Sequence, residues 1–70
     1  MSSDTKVWCA DTNLTMAIEQ IAEEDGIPQE DALAEFLSTP VYKALYALDT
    51  GLWGVGPAYL VDLYRRHTNN

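Results

Sequence analysis

The sequence predicts a small all-α domain, a bundle of three to four short helices. Three observations lead there. Apolar residues recur at intervals of three and four, the repeat of one helix face. Proline and glycine punctuate the chain where helices start and stop, at Gly26-Ile27-Pro28, Thr39-Pro40, Gly51 and Gly56-Pro57. And 70 residues carrying one cysteine, Cys9, and one histidine, His67, hold no internal disulfide and too few ligands for a tetrahedral zinc. A core this small is stabilised by close helix packing or by association. We expect no cofactor.

The first clear helix is expected over residues 13–25. Leu14, Ala17, Ile18, Ile21 and Ala22 form one apolar stripe. Asp11, Thr12 and Asn13 each offer an N-cap oxygen. Gly26 suits the left-handed residue that ends the helix. Residues 6–10 read either as an extension of this helix or as an irregular lead-in on which Val7 and Trp8 dock. Residues 1–5 and 68–70 are expected to fray, with 1–70 forming one domain.

Pro28 is expected as the first residue of a second helix. Glu30 and Asp31 fall in its first turn, where acids favour the positive end of the helix dipole. Ala32, Leu33, Phe36 and Leu37 make its expected buried face. Ser38-Thr39-Pro40 should break the chain and start a third helix with Val41, Ala44, Leu45 and Leu48 inward. Asp49-Thr50-Gly51 is a stop signal. Leu52-Trp53-Gly54-Val55-Gly56 reads as an ordered loop pinned by Leu52 and Trp53. Pro57 starts the last helix, which runs to about Arg66 with Leu60, Leu63 and Tyr64 inward. Arg65, Arg66 and His67 complement the dipole at its end.

Charge excludes more than it assigns. Net charge is −7, and no Lys or Arg stands between Lys6 and Lys43. Seven of the eleven acids fall within residues 19–35, so that stretch repels a phosphate backbone. Residues 18–46 can be drawn as a helix–turn–helix, but its second helix would present Gln29, Glu30, Asp31 and Glu35 to DNA. We therefore expect no direct binding of nucleic acid. The acidic face instead suits a basic partner or mimicry of nucleic acid, as in an inhibitor from a phage or mobile element. No run approaches the roughly 20 apolar residues of a membrane span. The lone cysteine and the polar opening MSSDTKVWCADTN suggest a cytoplasmic protein.

No residue pattern suggests catalysis. GxG in LWGVGP lacks the strand and third glycine of a dinucleotide loop. Cys9 has no cluster of cations to activate it, and His67 sits at a helix end. We expect a non-enzymatic protein-interaction module. Residues 41–64, VYKALYALDTGLWGVGPAYLVDLY, hold all four tyrosines and one of two tryptophans. Tyr42, Tyr46, Trp53 and Tyr59 are the expected anchors, because such rings bury much area while a polar atom stays bonded. Glu23, Glu24, Asp25, Glu30 and Asp31 are the expected charged rim. The anchors suit a protein partner or a homodimer.

Phe36-Leu37-Ser38, Leu45-Tyr46, Asp49, Leu52-Trp53, Gly56-Pro57, Tyr59 and Leu63-Tyr64 carry a resemblance. Together they resemble a family of short bacterial proteins with a Leu-Trp and Gly-Pro core, some encoded in toxin–antitoxin-like gene clusters. The resemblance implies an antitoxin-like or regulatory role and supplies no catalytic residue. Arg65-Arg66-His67 depart from the acids that often end the last helix of that family.

Overall fold

The computed structural model describes residues 3–47 and 51–68. Four α-helices run in chain order: α1 (Ser3–Asp25), α2 (Gln29–Leu37), α3 (Pro40–Tyr46) and α4 (Pro57–Thr68), with a 3-10 turn, Leu52–Gly54, before α4. No strand occurs among the described residues. The all-α bundle expected from periodicity is the observed architecture.

α1 is the spine. Its 23 residues account for most of the 37 Å long axis at 1.5 Å rise per residue. α2, the 3-10 turn and α4 all pack along it. Residues 6–10 belong to the helix, and Ala10 is fully buried. Ala10, Leu14, Ala17 and Ile21 continue one stripe upward, which is why the lead-in is helical. Of the ends expected to fray, Ser3–Thr5 and Thr68 lie within helices, and the rest lie outside the described residues.

Asp11, Thr12 and Asn13 are not N-caps, because α1 starts ten residues before Asn13. The Thr12 hydroxyl donates to the Trp8 carbonyl at 3.0 Å, the back-bond of a helix interior. The Asp11 and Asn13 side chains reach α3 and the 3-10 turn instead.

Gly26 ends α1 as expected, at φ +66°. Ile27 N–H donates to the Ala22 carbonyl at 3.1 Å, the 6→1 bond of a Schellman motif. Pro28 is the N-cap of α2 and not its first residue; its carbonyl accepts from Asp31 and Ala32 N–H. α2 breaks at Ser38–Thr39, and Pro40 opens α3. The two hydroxyls do not cap α3. Ser38 Oγ donates to Glu35 O at 2.6 Å and Thr39 Oγ1 to Phe36 O at 2.7 Å, so they close α2.

The core joins Ile18, Ile21, Phe36, Val41, Leu45, Leu60, Val61 and Tyr64 around the small residues Ala10, Ala17, Ala22 and Ala32. The Phe36 and Tyr64 rings stack with centroids 5.5 Å apart, joining α2 to α4. Two expectations fail here. Leu33 and Leu37 are 37% and 43% exposed, because Ala32 and Phe36, one turn apart, already define the one stripe that a nine-residue helix can bury. In α4, Val61 is buried and Leu63 only flanks the core. Leu48, Asp49 and Thr50 lie outside the described residues.

Candidate interaction surface

The expected aromatic anchors separate into three places. Tyr42 and Tyr46 form a pair on α3, with ring centroids 5.2 Å apart and planes tilted by 57°. Both are half-buried against the core. The Tyr46 hydroxyl donates to an Asp11 carboxylate oxygen. Burial, and then that bond, push the Tyr46 phenol well above its ordinary pKa.

Trp53 lies on the other flank of α1. Asn13 Nδ2 donates to the carbonyls of Trp53 at 3.1 Å and Val55 at 2.6 Å, fastening the 3-10 turn to the spine. Gly51 enters that turn at φ +79°, a conformation glycine adopts without a Cβ clash. Lys6 Nζ stands 5.4 Å from the centre of the Trp53 ring. Tyr59 is apart from both places and 49% exposed on α4.

The expected acidic rim also divides. Glu24 and Asp25 face Arg65 of α4. Both Arg65 Nη atoms donate to the two Asp25 carboxylate oxygens, at 3.0 and 2.9 Å, and Nη2 reaches Glu24 at 3.0 Å. The Gln20 side chain donates to the other Glu24 oxygen at 3.0 Å. The Gln20 bond, and then Arg65, hold the Glu24 carboxyl below its usual range. Asp25 and Glu24 in turn raise the Arg65 guanidinium. These two acids serve as an internal clamp, which their place in a run of exposed acids gave no reason to expect. Glu23, Glu30 and Asp31 remain exposed.

Sequence reasoning missed a groove between α1 and α2. It has a volume of about 270 Å³ and is lined by Leu14, Thr15, Ile18, Gln29, Glu30 and Leu33. Its floor is apolar. Asp11, Leu14 and Ile18 share one stripe of α1, so the Tyr46–Asp11 bond lies about one turn from Leu14 on that stripe. The available signal was the surplus of apolar positions on α2: five across nine residues, Ala34 included, cannot all face inward. Trp8 and Met16, 67% and 50% exposed, add apolar surface to the outer side of α1.

A second depression lies where the C-termini of α2 and α4 converge, lined by Glu35, Ser38, Thr39, Tyr64, His67 and Thr68. Its hydroxyls are engaged. Ser38, Thr39 and Thr68 donate to main-chain carbonyls, and Tyr64 donates to Glu35 at 3.1 Å. Burial, and then Glu35, raise the Tyr64 phenol.

Among the described residues, no group of three or more His, Cys, Asp or Glu is placed to hold a metal ion. No helix there is long and apolar enough to cross a membrane. No family model matches the chain, and no curated protein or solved structure matches it.

Proposed function

We propose that this chain is a non-enzymatic, acidic protein-interaction module that docks a protein partner, in the manner of an antitoxin-like or regulatory protein. One observation carries the reading. Large apolar side chains stay exposed (Trp8, Met16, Leu33, Leu37 and Tyr59) on a molecule whose sequence has only acids as charged residues between Lys6 and Lys43. Apolar area supplies affinity, and a field of one sign speeds encounter and rejects wrong partners. The resemblance to short bacterial proteins of toxin–antitoxin-like clusters points to a co-encoded partner.

Tyr42 and Tyr46 are its proposed anchors on α3, with Trp53 and Tyr59 as further anchors at two separate places. The reading is tested by affinity capture from the native host with mass spectrometry, repeated with Tyr46→Ala and Tyr46→Phe. A single stoichiometric protein should be retained. Tyr46→Ala should weaken it by about 2 kcal/mol or more if the ring is a binding hot spot. Tyr46→Phe keeps the ring and separates that loss from loss of the Asp11 bond. An unchanged dissociation constant in folded Tyr46→Ala removes Tyr46 from the interface. Capture of no protein above background contradicts the reading.

A further inference from the structure

We propose that the α1–α2 groove receives a short amphipathic helix with basic flanks, contributed by a different protein. This rests on the interaction-module reading and assigns it a site and a partner chemistry.

Three features of the groove lead to it. The first is shape. Two helices joined by the Gly26-Ile27-Pro28 turn leave an open seam, and a helix laid along such a seam completes a three-helix layer. α1 lines the groove from Leu14 to Ile18, a rise of about 6 Å at 1.5 Å per residue, which seats about one turn of the incoming helix against Gln29–Leu33 of α2.

The second feature is the floor. Leu14, Ile18 and Leu33 offer contacts to apolar side chains spaced i, i+3 or i+4, and i+7 on the incoming helix.

The third feature is charge. Glu30 lines the groove, and Glu19 stands one turn beyond Thr15 on the α1 wall. Among the described residues neither makes an ion pair, whereas Glu24 and Asp25 are already held by Arg65. No basic residue occurs on either wall, since none lies between Lys6 and Lys43. A helix flanked by Lys or Arg therefore meets carboxylates along its edges, and an acidic one is repelled.

A second copy of this chain fits poorly. It brings another net charge of −7. Of its four Lys and Arg, Arg65 and Arg66 are committed to Asp25, Glu24 and Asp62 and Lys6 lies over Trp53, which leaves Lys43 alone to meet the carboxylates of both walls.

The test uses the full chain and three 14-residue peptides with blocked ends. One places Leu at i, i+3, i+4 and i+7 with Lys at the flanks. The second replaces each Lys by Glu. The third keeps Lys and replaces each Leu by Ser. Binding is followed by isothermal titration at low and at physiological salt. The Leu/Lys peptide should bind, and the other two should bind at least tenfold more weakly.

Leu33→Asp should weaken the Leu/Lys peptide at least tenfold, and Leu33→Ala less. Glu19→Gln with Glu30→Gln should weaken it severalfold and flatten the salt dependence. Ala58→Ser, exposed on α4 and away from the groove, should leave it unchanged. Circular dichroism checks that each variant keeps its helices. Equal binding of the Leu/Glu peptide overturns the assignment. So does Leu33→Asp that folds and binds normally, or absence of Leu/Lys binding at millimolar concentration. Loss of binding in Tyr42→Ala but not in Leu33→Asp overturns the groove and leaves the broader reading intact. A stoichiometric partner captured from the host but indifferent to Leu33→Asp does the same.

Discussion

The α1–α2 hairpin and the back half of the chain are held together by different means. The hairpin is specified locally. α1 is long, Gly26 stops it in a Schellman motif, and α2 starts again within three residues. The back half has little local support. α3 has seven residues and the 3-10 turn has three, both too short to stand alone. They are fixed by burying Val41, Leu45, Leu52 and Trp53 against the core and by single side chains of α1 that reach them. Asn13 fastens the turn, Asp11 holds Tyr46, and Lys6 covers Trp53. The front half is built by its neighbours in sequence, and the back half by its neighbours in space.

Phe36→Ala should break the comparison most severely. The ring is fully buried and stacks on Tyr64, so it joins the hairpin to α4 beside the packing of α4 along α1. Its loss should cost about 3–5 kcal/mol, most of the stability expected of so small a domain. Urea unfolding followed by helical signal measures it. Retention of near-wild-type stability would mean that the halves are joined elsewhere.

Asn13→Leu should cost about 1–3 kcal/mol, because two part-buried carbonyls lose their donor. The effect should be uneven. Trp53 emission and hydrogen exchange in residues 52–56 should change more than exchange in α2. A uniform loss would contradict the division into local and long-range support. Gly26→Ala should cost about 1 kcal/mol, seen as a lowered urea midpoint. An added Cβ meets no atom within 4 Å, so strain at φ +66° is the only penalty.

Tyr46 and Tyr64 both have phenols raised in the folded state, first by burial. The stability they contribute is complete below the ordinary tyrosine pKa of 10.0. It falls as pH rises beyond that value, where the unfolded chain has lost protons that the folded chain retains. Tyr46→Phe should reduce this alkaline loss, read from unfolding midpoints between pH 9 and about 11.

Arg65→Ala should have the smallest effect. Its pairing with Asp25 is part-exposed and salt-screened, worth about 1 kcal/mol or less. Glu24 adds an acid limb. Its lowered carboxyl gives stability that is present above the usual carboxylate range and lost as pH falls through the lowered value.

The same comparison explains what the sequence made legible. Helix ends set by one residue, Gly26 and Pro40, could be read directly. So could the inward faces of Val41/Leu45 and Leu60/Tyr64. Asp11 and Asn13 misled because a short polar side chain serves equally as a helix cap or as a long-range donor or acceptor. Choosing between these required knowing that residues 53–55 fold back 40 positions later. The groove escaped notice because Leu33 and Leu37 look buried by composition. Only the position of Phe36 on its helix shows that they flank the core. Arg65 reads in the sequence as a complement to its own helix dipole, and nothing in its neighbourhood there points to Asp25.

The central claim is that the acidic hairpin offers its apolar seam to a basic helix. Labelling the amide nitrogens and titrating with the Leu/Lys peptide locates the contact directly. The claim predicts that the largest chemical-shift changes cluster at Leu14, Thr15, Ile18, Gln29, Glu30 and Leu33 and saturate together. Changes spread evenly over all exposed acids, or centred on Tyr59, would contradict it.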